Sequence, residues 1–173
     1  MKRKIKIDNL VLAVANYKID TVKKLIDAGV DVNERLSDGR LPLVTAARYG
    51  WVEIIGLLID AGADLDKSEL GNDETALFWA ARYKRLPALK LLIASGADLN
   101  VKNVSGNTPL MVASAGKDSE IVKTLVDAGA DINVKNKYKL DALAIAKFGL
   151  KEGAYGAVGL RELEQTIYIL QNG

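Results

Sequence analysis

The chain contains no cysteine and no histidine. Without cysteine there is no disulfide frame and no thiolate chemistry. Without histidine, a metal site would need carboxylates alone, and proton transfer near neutral pH would need a strongly shifted Glu, Asp or Lys. Charge of one sign is also missing: the net formal charge is only +2, which gives no global argument for nucleic acid or an anionic membrane. No stretch approaches the ~18–20 apolar residues of a membrane span. What is present is an ordinary soluble composition, 49% hydrophobic and 27% charged, over 173 residues. That is enough for one domain with a sizeable core.

The start, MKRKIKIDNLVLAVA, has a basic head, an apolar stretch and an A-x-A-like end, as a secretory signal does. Its apolar run from Leu10 is about six residues, short of the roughly 7–15 a signal needs. The repeats explain it better. The glycines of IDAGVDVN, IDAGADLD, IASGADLN and VDAGADIN are Gly29, Gly62, Gly96 and Gly129, spaced 33, 34 and 33. A second marker, Leu-x-x-Ala, falls at Leu10/Ala13, Leu43/Ala46, Leu77/Ala80, Leu110/Ala113 and Leu143/Ala146, spaced 33, 34, 33 and 33. Two independent markers with one period predict a stacked array. LVLAVA is then the first helix of the first unit.

Each unit reads as helix, turn, helix, projecting loop. The small Ala of Leu-x-x-Ala lets a neighbouring helix approach. A second helical pattern follows, as in VEIIGLLIDAG, and its Gly fits a left-handed cap. Pro87 suits a first helical turn. The recurring Asp31, Asp64, Asp98 and Asp131 are turn formers and not an acid–base pair.

These units resemble the ankyrin repeat family. The nearest to its signature is SGNTPLMVASAGKDSEIVKTLVDAGADINVK (105–135), with Thr108-Pro109-Leu110 in place; SDGRLPLVTAARYGWVEIIGLLIDAGADL (37–65) is nearly as close. The resemblance implies an all-α solenoid of five helix-turn-helix-loop units, about 1–35, 36–68, 69–102, 103–135 and 136–173, capped at both ends and forming a single domain. Where the family usually has His, this chain has Val44, Phe78, Met111 and Ala144. The third unit carries one extra residue in LGNDET, and the fifth carries eleven around KEGAYGAVGLR (151–161), read as a lengthened loop before a polar terminal helix.

The string Ala-Ala-Arg-Tyr occurs twice, at 46–49 and 80–83. The resemblance implies that Arg48, Tyr49, Arg82 and Tyr83 look onto a concave, partner-binding face, joined by Phe148. Loop residues Arg40, Glu74, Asn107, Tyr138 and Leu140 are expected to project nearby. Tyr and Arg dominate binding hot spots, worth ~2 kcal/mol or more each when central. The competing reading is that Arg covers a ridge and Tyr packs on the neighbouring unit. Trp79 is expected in the core and Trp51 half exposed. Gly56 stands where other units have Lys, at a cost of up to ~1 kcal/mol against Ala.

KRKIK (2–6) reads as a solvated terminus, and GAYGAVG (153–159) lacks the strand and G-K-[ST] of a phosphate loop. Lysines 102, 135, 137 and 139 near the loop tips are interleaved with Asp38, Asp73, Glu74 and Asp141, so no basic stripe forms. Nothing points to a catalytic constellation. The expectation is a cytoplasmic, monomeric, non-catalytic module with no cofactor or metal, acting on no nucleic acid or membrane. It would bind another protein through the concave groove and loop tips and act by occupancy: inhibition, sequestration or scaffolding. The alternative is a structural array, or a fragment of a larger protein, without a site of its own.

Overall fold

The computed structural model describes residues 10–151 and 157–173. The KRKIK run lies outside them, as do residues 152–156 of the Gly-rich stretch. Helices follow one another in pairs: α1 (through residues 10–15) with α2 (Ile19–Asp27), α3 (Pro42–Tyr49) with α4 (Val52–Asp60), α5 (Ala76–Arg82) with α6 (Leu86–Ala94), α7 (Pro109–Gly116) with α8 (Ser119–Asp127), and α9 (Ala142–Lys151) with α10 (Ala157–Asn172). No strand occurs among the described residues. The chain divides into two compact units, one ending at Ala97 and one beginning at Asp98.

In the first unit α3 packs on both α4 and α5, and α4 packs on α6. Ala46 and Ala80 are fully buried, which is the close approach their small side chains permit. Leu58 and Leu92 occupy one register position of the second helices and are fully buried, each worth ~1.5–3 kcal/mol against exposure. The second unit repeats the scheme with Ala113, Ala146 and Leu125. Apolar Val44, Phe78 and Met111, in place of the expected His, are all buried core.

The helix ends follow the sequence closely. Pro87 lies in the first turn of α6. Gly29, Gly62, Gly96 and Gly129 all take left-handed backbone just past a helix, a conformation only Gly adopts without steric cost. The recurrent aspartates make the expected turns: Asp31, Asp64, Asp98 and Asp131 each accept from the N–H two residues on, at 2.8–3.0 Å. A Cβ at Gly56 would meet nothing within 4 Å.

The fifth unit differs from expectation. Lys151 and residues 157–161, expected in a long loop, are helical. The extra residues lengthen α9 to 10 and α10 to 16, against 8 and 9 for α7 and α8. Leu163 and Leu170, two turns apart on one face of the helix, are buried and hold α10 in place, and α10 packs on α8 and α9.

Candidate functional site

The two Ala-Ala-Arg-Tyr strings end neighbouring helices, α3 and α5, in the first unit. Their arginines do the same thing. Arg48 Nη2 donates to Glu69 Oε2 at 2.9 Å, and Arg82 Nη2 donates to Glu74 Oε1. Both carboxylates are buried, Glu69 6% and Glu74 4% exposed. They are the two ends of one turn, closed by Glu69 N–H donating to Glu74 C=O at 3.2 Å. Glu74 was expected to project; Arg82 and the Asn72 amide draw its carboxylate inward.

The guanidinium of Arg48 also lies over Trp79, 3.8 Å from the ring centroid, with Arg82 at 5.3 Å. Tyr83 stacks on the same indole, with centroids 5.6 Å apart. Trp79 was expected in the core. It is half-buried, because its helix face meets Arg48 of α3 and not an apolar layer. A second aromatic group surrounds Trp51, which Tyr17 meets at 4.6 Å and Tyr49 stacks on at 6.0 Å. Arg85 joins the groups: its Nε donates to the Arg48 carbonyl at 3.2 Å, and its side chain lies so close over Gly50 that a Cβ there would come within 2.9 Å of Arg85 Cδ.

Burial pushes the Glu69 carboxyl above its ordinary value. Arg48 and a backbone hydrogen bond from Leu41 pull the other way and lose. The cause is visible: Glu69 Oε1 is buried with no hydrogen-bond partner among the described residues, and so are Arg48 Nε, Trp79 Nε1 and Thr75 Oγ1 beside it. Arg40, by contrast, is exposed and paired with Asp38 at 2.8 Å, a bond that lowers the Asp38 carboxyl and raises the Arg40 guanidinium.

In the second unit, Asn107 and Leu140 are half-buried and tied into turns. Asn136 Oδ1 accepts from the N–H groups of Tyr138 and Leu140, and its Nδ2 donates to Asn107 Oδ1 at 2.8 Å. Tyr138 (73% exposed) and Phe148 (59% exposed) stand free on the 136–140 turn and on α9. Among the described residues no group of three or more acidic side chains is arranged to hold a metal, and no helix is long and apolar enough to cross a membrane.

A family model for ankyrin repeats in three copies matches residues 10–103 and again residues 72–136. The chain belongs to the ankyrin-repeat family. Its all-α helix pairs and their connecting turns are ankyrin repeats, which are generally protein–protein interaction modules in a typically non-catalytic family. The chain is 34% identical over 103 residues to an ankyrin repeat protein of fowlpox virus (strain NVSL), a match covering 58% of this chain and 30% of that protein. It is 33% identical over 102 residues to the ankyrin repeat and KH domain-containing protein mask of Drosophila melanogaster, covering 58% of this chain and 2% of that one. Myotrophin of Xenopus tropicalis is 39% identical over 54 residues, 31% of this chain and 46% of its own. The ankyrin chain thus spans less than half the length of each of these relatives.

Sequence reasoning missed Glu69, Tyr17, Arg85 and Asn136. A signal existed for Glu69. It begins its turn in the register held by Leu36, Asn103 and Asn136, and is the only charged residue of the four. Tyr17 takes left-handed backbone where the next repeat has Gly50, at the turn between paired helices.

Proposed function

We propose that this ankyrin array is a non-catalytic module that binds another protein through the exposed tyrosine row at the ends of its first helices, acting by occupancy. The observation that carries the reading is the state of Tyr49 and Tyr83. Each is 45% exposed, yet each rests on a tryptophan held by its own repeat. A ring already fixed loses little entropy on binding, which is where rigid aromatic anchors gain affinity. The arginines of the two strings carry a different part. Paired with buried Glu69 and Glu74, they hold the turn and brace Trp79 beneath Tyr83. Arg40 extends the contact as an exposed side chain. The second unit presents exposed Tyr138 and Phe148 of its own, and Asn107 and Leu140 set the turn that carries Tyr138. A cytoplasmic, monomeric protein suits this reading.

The test is affinity capture from lysate of the cells that make the protein, with the native chain beside Tyr49→Ala/Tyr83→Ala. Circular dichroism first establishes that the two melt alike. One partner retained by the native chain and lost by the variant is the expected result. Equal retention by both would remove the tyrosine row from the site.

A further inference from the structure

The tyrosine row of the first unit has a charge of its own. Tyr17 is followed by Lys18, and Tyr83 by Lys84 and Arg85. Among the described residues none of these three cations has a carboxylate within ion-pair distance. Neighbouring acids are already engaged: Glu69 by Arg48, Glu74 by Arg82, and Glu53, at the start of α4, lies 3.9 Å from Lys23. Asp20, two residues after Lys18, lies in the first turn of α2. Arg85 is the best placed of the cations. Its Nε is anchored on the Arg48 carbonyl and its methylenes lie over Gly50, between Tyr49 and Trp51 in the chain, while the residue as a whole stays exposed, so a fixed guanidinium is presented to solvent. The patch is continuous: Tyr17 touches Trp51, Trp51 touches Tyr49, Arg85 lies over the turn between them, and Tyr83 precedes Arg85 by two residues.

We infer that this edge takes an acidic, extended segment of a partner protein. Its carboxylates would meet Arg85, Lys18 and Lys84, and its chain would lie between the tyrosines. The inference rests on the protein-binding reading above and adds the chemistry of the partner. A fixed guanidinium prefers carboxylate to a neutral amide because its planar fork matches two oxygens. Unpaired cations beside exposed aromatics also suit single-stranded nucleic acid, where bases stack on ring faces. Here Tyr49 and Tyr83 each stack one ring face on a tryptophan, Tyr17 is tilted against Trp51, and Arg48 covers Trp79, so fewer ring faces are left for bases to stack on.

The experiment selects binders to the full chain from a display library of random linear peptides. The retained peptides are then titrated, by intrinsic tryptophan fluorescence, against the native chain and against Lys18→Glu/Lys84→Glu. Both lysines are exposed, so the reversal leaves the core intact. Arg85→Lys is the companion variant, keeping charge without the fork. The expected result is peptides rich in Asp and Glu that bind the double variant at least about tenfold more weakly, and that weaken further with added salt. Peptides without acidic bias, no retained peptide, or acidic peptides indifferent to the reversal would each overturn the inference. So would an oligo-dT strand bound more tightly than any peptide. The capture experiment with Tyr49→Ala/Tyr83→Ala does not depend on this result, so failure here and failure of the protein-binding reading are told apart.

Discussion

Two turns of this protein hold the same shape by opposite chemistry. The turn over 136–140 is closed by a neutral side chain. Asn136 closes it by accepting two backbone N–H groups, and its amide reaches Asn107 in the preceding turn of the same unit. The turn over 69–74 is one residue longer and charged. Glu69 and Glu74 stand at its ends, buried, each held by an arginine from a first helix. A backbone bond joins first and last residue in both. The turn closed by Asn136 leans only on the turn before it, to which the Lys137 N–H also donates, at Ser105 C=O, 3.1 Å. The charged turn depends on helices α3 and α5 staying where they are, so its integrity and the posture of Trp79, Tyr49 and Tyr83 are one matter. A partner-binding edge is thereby tied to the array beneath it.

The largest effect expected is from Arg82→Ala. It takes the guanidinium from a buried carboxylate and should cost ~2–4 kcal/mol at neutral pH. Urea melts of the single and double variants check it: in a Glu74→Gln background the loss should shrink, and an unchanged loss would mean the carboxylate is not the cause. Asn136→Ala should cost less, ~1–2 kcal/mol, because the N–H groups it leaves belong to exposed Tyr138 and half-buried Leu140. That loss should be the same in the Glu74→Gln background, which makes it the control for the charged turn.

The comparison sharpens with pH. Glu69 holds its proton more tightly folded than unfolded, since its carboxyl is pushed above the ordinary 4.5. Between 4.5 and the raised value the folded state carries the extra proton, so stability should fall as pH rises through that window. Glu69→Gln should flatten this fall in a series of denaturant melts. Asp38 works in the other direction. Its carboxyl lies below the ordinary 3.8, so what it contributes is present above that value and is lost as pH falls through the lowered one. The two windows do not overlap, and Asp38→Asn should leave the upper one untouched.

The smallest effect concerns backbone. Asp73 and Lys139 both take left-handed backbone near the ends of these turns, at φ 56° and 61°, where Gly39 and Gly106 stand in the others. Lys139→Gly should stabilise by up to ~1 kcal/mol, and Asp73→Gly by less, because Asp tolerates that conformation better than Lys. Thermal melts of the two variants decide the order.

Much of this was legible in residue order. Paired helices, the left-handed glycines and the aspartate turns are periodic, and the period of 33 or 34 residues writes each of them several times; the polar last helix is read from its own local composition. The candidate site was legible in part. Tyr49 and Tyr83 were named because they repeat; Glu69 was passed over because it does not. Glu74 was expected outside and Trp79 inside, and both were misjudged for one reason. Their exposure depends on arginines that come from another helix or from eight residues further along.

By itself the sequence determined the fold class, because each repeat must bury the same apolar face on its neighbours and spells that requirement again every 33 or 34 residues. It also determined which tyrosines stand at equivalent places. Only the tertiary structure decided what those places are made of. Burying Glu69 and Glu74 is costly unless a cation meets them, and the cations that do so, Arg48 and Arg82, arrive by packing of α3 and α5. Arg85 became an anchored cation for the same reason: the carbonyl that holds its Nε is 37 residues away in the chain and 3.2 Å away in space.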